Sequence, residues 1–146
     1  MTPAIFHFLT RAFSIFPLLE TEGFSTAKFV FLIDEDKVYF INIKDGDVIK
    51  SPFLVQFGLS GKGVAPAGVD IENTGHHHLL INVDEIDYSL PIPSSKQHLH
   101  FGLGQTETNL DLAEGEYQLQ LILGNKYHIP HQPPLESKKI KVTVIP

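Results

Sequence analysis

The chain from residue 37 onward alternates apolar and polar residues with a period of two. In "FLVQFGLS", residues 53–60, and "EYQLQLIL", residues 116–123, every second position carries a large apolar side chain. The segments "KVYFINI", residues 37–43, and "KKIKVTVI", residues 138–145, show the same pattern. Such alternation is typical of strands with one face in the core and the other in water. No long segment has helical spacing, so the pattern predicts an all-β domain.

Turn residues separate these segments, including "KDGD" at residues 44–47, Glu114-Gly115 and Gly124-Asn125. Glycine, asparagine and aspartate favour tight turns between strands. Several short strands joined in this way predict an antiparallel β-sandwich of immunoglobulin-like type, with a closed barrel as the alternative. The chain has 146 residues, enough for one ordinary domain, which we place at residues 37–146.

Residues 1–36 lack this alternation and are rich in Phe, Leu and Ile. Two interpretations stay open for them: a degenerate export signal, or a short amphipathic extension of the domain. Small residues at 25–27 suit cleavage, whereas Arg11, Glu20 and Glu22 interrupt the pattern of a standard signal peptide. The uninterrupted apolar run is too short to span a bilayer, so we predict no transmembrane segment.

Charge and sulfur content narrow the chemistry that the domain can perform. The net charge is −6 with histidine neutral, and no basic stripe is present, so nucleic acid is excluded as a partner. The chain has no cysteine and a single methionine, Met1, which excludes disulfides, thiolate sites and soft sulfur ligation of Cu(I). Candidate chemistry therefore rests on the histidines.

Seven of the eight histidines fall in three short groups, and only His7 lies elsewhere. If residues 76–83 form a strand, alternation puts His77 on the apolar core face, where we expect a structural role. His76 and His78 then project together from the opposite face, with Cα atoms about 6.5–7 Å apart. That spacing lets two imidazoles reach one metal ion.

The other two groups repeat this arrangement in different settings. "QHLHF" projects His98 and His100 from one side of a short strand, and "YHIPHQPP" holds its histidines in a proline-stiffened loop. Neutral imidazole is a good ligand for Zn(II), Cu(II) and Ni(II), and we expect Cu(II) or Zn(II). The predicted ligands are His76, His78, His98 and His100, with His128 and His131 as added or supporting ligands.

Two alternatives involve no metal: a hydrogen-bonded histidine network with a structural role, and a pocket for a small polar ligand or partner. A third hypothesis is a metal-dependent enzyme with Glu107 as general base, although we expect binding rather than catalysis. The glycine-rich stretch "GLSGKG", residues 58–63, matches neither a phosphate-binding loop nor a nucleophile elbow.

The stretches "NTGHHHLLI", "HLHFGLGQTE" and "LILGNKYHIPHQPP" together closely resemble a bacterial family known as domain of unknown function 4399. The resemblance extends from about residue 37 to the end of the chain. It implies an all-β sandwich and an exported, periplasmic protein, but no particular reaction. Gln105 and Glu107 belong to the matching stretches, and we expect them to support the site or the structure. The chain departs from the family at Lys126, where many relatives carry a further histidine.

Overall fold

The structure is a computed structural model that describes residues 35–146. These residues form nine β-strands and no helix, so the all-β prediction is confirmed and no membrane-spanning helix is found among them. The predicted export signal lies outside the described residues. In chain order the strands are β1 Lys37–Phe40, β2 Val48–Lys50, β3 Phe53–Ser60, β4 Gly63–Val64, β5 Thr74–Ile81, β6 His98–His100, β7 Glu107–Leu110, β8 Gly115–Gly124 and β9 Ile140–Ile145.

The described strands form two sheets. One has the order β1-β3-β7, and the other has the order β2-β9-β8-β5-β4, with β6 also paired to β5. Most neighbours are antiparallel, as predicted, but β2 with β9 and β4 with β5 are parallel, so the larger sheet is mixed. At β2 the cause is the preceding turn. The Gly46 amide donates to the Lys141 carbonyl, and the Thr143 amide donates to the Asp47 carbonyl, each at 2.8 Å. The chain therefore enters β2 already aligned with β9.

Alternate side chains from both sheets meet in one hydrophobic core. The strand predicted at residues 53–60 coincides with β3, and the strand predicted at 116–123 lies within β8. Strand β1 is shorter than predicted: it ends at Phe40, after which Ile41 is exposed and Ile43 returns to the core beyond a bend. The two long strands supply core residues Phe53, Val55 and Phe57 from β3, and Leu119, Leu121 and Leu123 from β8.

Strand β5 is buried on both faces. On the face opposite the core it is covered by the loop after β8, which pairs with β8 through bridges from Gly124 to Pro130 and from Ile122 to Glu136 and brings the His128 ring to 5.0 Å from that of His76. The loop between β5 and β6 joins it, since the Ile92 amide donates to the His128 carbonyl at 2.8 Å. Beneath these loops lies a second, smaller core of Leu80, Ile92 and Ile122.

Candidate metal centre

Four imidazole rings converge on the covered face of β5, and we call His76, His78, His100 and His128 the histidine cluster. The ring centroid of His76 lies 4.9 Å from that of His78 and 5.0 Å from those of His100 and His128. His100 lies 5.0 Å from His78 and 4.7 Å from His128, whereas His78 and His128 are 6.0 Å apart. His76 and His100 therefore each lie within 5.0 Å of all three other rings, and only the pair of His78 and His128 is farther apart.

Strand pairing places three of the four rings. Residues two apart on β5 point to the same side, so His76 and His78 share a face, as predicted. Strand β6 runs antiparallel to β5 and aligns His100 directly with His78. On the other side of β5, strand β8 places Gly124 opposite His76 and Ile122 opposite His78. The sheet register therefore brings the imidazoles of His76, His78 and His100 side by side on one face of the sheet.

The fourth ring, that of His128, comes from the loop after β8. Its backbone is left-handed, with a φ of 68°, a conformation that is uncommon for residues other than glycine. Asn125 stabilises the turn: its carbonyl accepts the His128 amide at 2.8 Å, and its side-chain oxygen accepts the Tyr127 and Ile129 amides at 2.8 and 3.2 Å. Unfavoured backbone conformations of this kind concentrate at functional sites, where surrounding contacts hold them in place.

Two glycines leave the space that the rings occupy, and the sequence-based predictions overlooked both. A Cβ atom at Gly102 would lie 2.6 Å from Nε2 of His100 and closer still to its Cε1. A Cβ atom at Gly124 would lie 2.9 Å from Nε2 of His78 and 3.4 Å from the His128 Cα. Neither glycine has a positive φ, so space rather than backbone freedom requires them. The sequence feature that could have revealed them is a glycine at the end of an apolar strand, which often marks a close approach of neighbouring atoms.

Most of the ring nitrogens of the cluster are buried without a hydrogen-bond partner. Five buried nitrogens, both of His76, both of His78 and Nε2 of His100, have no partner among residues 35–146. Buried polar atoms are almost always paired, because an unpaired one costs roughly 1–3 kcal/mol. This finding does not support the alternative of a hydrogen-bonded histidine network, and it leaves the lone pairs available to an ion.

Burial keeps these imidazoles neutral. It is the main cause that lowers the pKa of His76 to about 4 and that of His78 to about 3, and the neighbouring histidines lower both further. Burial also lowers the pKa of His100, with a smaller contribution from His128. At neutral pH the rings of His76, His78 and His100 are therefore unprotonated, which is the form that binds metal.

The spacing of the cluster suits a single metal ion once the rings move closer together. One ring nitrogen from each of His76, His100 and His128 lies within 4.8 Å of the other two. Zinc–imidazole bonds are about 2.0–2.1 Å long, so two nitrogens on a tetrahedral ion are about 3.3–3.4 Å apart. A pair at the 4.8 Å limit would need to close by roughly 1.4 Å to bind one ion. His78 is the adjacent fourth ring of the cluster.

Two of the six predicted ligands lie outside the cluster. His98 shares a face of β6 with His100, but it aligns with Leu80, one step farther along the sheet, and its Nδ1 lies 2.9 Å from the Ser95 hydroxyl. His131 lies beside Gly75, where a Cβ atom would be 2.9 Å from its Nε2. Burial is the main cause that lowers the pKa of His131, followed by the charge of Lys62.

The three residues expected to have structural roles are also separate from the cluster. His77 lies on the core face, with its ring 5.2 Å from that of Phe57, and burial lowers its pKa to about 4. The backbone of Gln105 lies near the ring and partly opposes this lowering of the pKa. The Gln105 side chain accepts the Leu103 amide at 3.0 Å. Glu107 lies on β7 in the other sheet, where its carboxylate accepts a bond from the Gln56 amide group at 3.1 Å.

Comparison with known proteins finds a matching family and a similar solved structure. Residues 55–145, more than half of the chain, match the family described as Domain of unknown function (DUF4399). No curated protein matches the chain. Among solved structures, an endo-beta-1,4-mannanase from Thermotoga petrophila is similar, with 22% sequence identity and a TM-score of 0.45. That similarity covers 77% of this chain and 20% of the mannanase.

Proposed function

This protein belongs to the DUF4399 family, and from its histidine cluster we propose that it binds one divalent transition-metal ion. The observation that carries the proposal is the convergence of His76, His100 and His128, whose ligand nitrogens lie within 4.8 Å of one another. Buried imidazoles without hydrogen-bond partners are costly to the fold, and a bound ion would offset that cost. These three residues are the proposed ligands; His78 is the neighbouring ring beside them, and His131 lies outside the cluster.

The donor set narrows the choice of ion. Neutral imidazole nitrogens favour Cu(II) and Zn(II), while Ca(II) and Mg(II) require oxygen ligands. No carboxylate or sulfur atom belongs to the group of ligand atoms found among the described residues. Cu(II) stands above Zn(II) in the general order of affinity for nitrogen sites, so we expect Cu(II) to bind more tightly in vitro.

We propose a role in metal handling rather than catalysis. Glu107, the general base of the enzyme hypothesis, is engaged by Gln56 in the opposite sheet. The family resemblance further supports export to the periplasm and an immunoglobulin-like sandwich, to which two sheets sharing one core are suited. These two statements remain predictions that rest on the family and on the general architecture.

Titration of the metal-free, untagged protein tests the proposal. We expect one Zn(II) or Cu(II) per chain, and at about one hundred times the dissociation constant the ion should stabilise the native state by roughly 2.7 kcal/mol. The His76→Gln variant should bind at least about tenfold more weakly. His98→Gln is the matched control, since it changes a histidine on the same side of the sheet without altering the cluster. The proposal fails if no metal raises the melting temperature at pH 7, or if both variants bind like the wild type.

A further inference from the structure

The histidine cluster contains no negative charge to balance a divalent ion. Its ligand atoms are all imidazole nitrogens. Carboxylates on the surrounding segments are directed to other partners: Asp70 pairs with Lys126 at 2.5 Å, and Glu136 accepts the Tyr88 hydroxyl at 2.8 Å. An ion bound only by these rings would therefore bring its full charge of +2 beneath the loops that cover the sheet.

A buried charge without a counter-charge is strongly disfavoured, because the ion loses water and gains no ionic partner. Structural and catalytic zinc sites commonly reduce this cost with thiolate or carboxylate ligands, or with a metal-bound hydroxide. This protein has no cysteine, and its cluster holds no carboxylate. Among the described residues the cluster offers no such charge, so we expect a ligand from solvent to supply it.

The four rings of the cluster differ in their exposure to solvent. His76 and His78 are completely buried, whereas His100 and His128 are partly exposed. The ring centroids of His100 and His128 are 4.7 Å apart, so these two residues border the accessible side of the site. Three ring nitrogens leave a tetrahedral ion with one position, and a ligand from solvent reaches it most readily beside these two rings.

We propose that the bound ion takes a small anion from solvent as an additional ligand, on the side of His100 and His128. This inference rests on the proposed metal binding and specifies its chemistry: the protein binds a metal–anion pair rather than a bare ion. Azide is a suitable probe of the class, since it is small, anionic and coordinates Cu(II) with a visible charge-transfer band.

The test is a titration of the copper-loaded, full-length protein with sodium azide, followed by visible absorption and electron paramagnetic resonance. We expect a charge-transfer band that saturates at one azide per copper, together with a shift in the copper resonance. If copper binds and azide changes neither signal, the anion inference is wrong while metal binding stands. If copper does not bind at all, both proposals fall.

A matched pair of variants tests the role of charge. His78→Asp places a carboxylate beside the ion, and His78→Asn places an uncharged side chain of nearly the same shape there. We expect azide to bind the copper-loaded His78→Asp variant at least about tenfold more weakly than the His78→Asn variant. Equal azide affinities in the two folded variants would contradict charge compensation. If either variant fails to fold, the titration of the wild-type protein decides.

Discussion

The two faces of β5 carry the same kind of residue at the same depth and use it differently. On the core face, His77 is completely buried and packs against Phe57 at 5.2 Å between ring centroids. On the opposite face, His76 and His78 are equally buried, but they pack against each other and against His100. Burial of a histidine therefore does not identify a site in this protein. The opposite face brings several ring nitrogens together, and that convergence supports the proposed metal site.

Among these tests, lowering the pH should change the free energy of unfolding most, because buried histidines on both faces of β5 resist protonation. The pKa of His76 and His77 is lowered to about 4 and that of His78 to about 3, against 6.5 in an unfolded chain. Below pH 6.5 the unfolded state binds more protons than the native state, so stability falls as the pH falls. Each group contributes up to about 1.4 kcal/mol per pH unit, or about 4 kcal/mol per unit for three.

Urea unfolding of the metal-free protein between pH 7.5 and 4 measures this effect. A domain of ordinary stability, about 5–15 kcal/mol, should unfold cooperatively within that range. A free energy of unfolding that stays constant from pH 7 to pH 5 would show that these histidines are not held neutral in the native state.

The second-largest effect should come from a substitution that disturbs only the face of β5 that carries the histidine cluster. In Gly102→Ala, the new methyl group would overlap the ring of His100. Because the imidazole can rotate about its side-chain bonds, we expect the ring to turn away from its place in the cluster. We expect the fold to survive and the metal affinity to fall about tenfold, or about 1.4 kcal/mol, in a metal titration.

Gly46→Ala is the control: a Cβ atom there meets nothing within 4 Å, but the φ of 85° at this position suits glycine. That variant should lose stability of about 1 kcal/mol and keep its metal affinity. If Gly102→Ala kept its metal affinity while Gly46→Ala lost it, the role given to Gly102 would be refuted.

The smallest effect should come from the core face. His77→Leu replaces two unpaired ring nitrogens with hydrocarbon in an apolar environment. We expect the free energy of unfolding at pH 7 to rise by about 1 kcal/mol, with metal affinity unchanged. The pH dependence below 6.5 should weaken by about one third, since one of three neutral histidines is removed. A loss of metal affinity in this variant would mean that the two faces are not functionally distinct.

Local strand geometry was enough to predict part of the site. Alternation alone puts His76 and His78 on one side of β5, because successive side chains of a strand point to opposite faces. The same rule pairs His98 with His100, but it says nothing about which neighbouring residues align. Strand register decided that His100 faces His78 while His98 faces Leu80.

The remaining part of the site depends on contacts that are distant in sequence. His128 reaches the cluster because the loop after β8 turns back over the sheet and holds a left-handed residue. No periodicity encodes that path, although the prolines at 130, 133 and 134 indicated a stiff loop. The same loop helps to bury the second face of β5, and alternation along β5 alone cannot show such coverage.

Anomalous diffraction at the zinc edge, from crystals of the zinc-loaded protein, tests the central claim most directly. The account predicts one strong peak per chain, about 2.0–2.1 Å from a ring nitrogen of each of His76, His100 and His128. A peak beside His98 or His131 instead, or no peak in crystals that contain zinc, would contradict it.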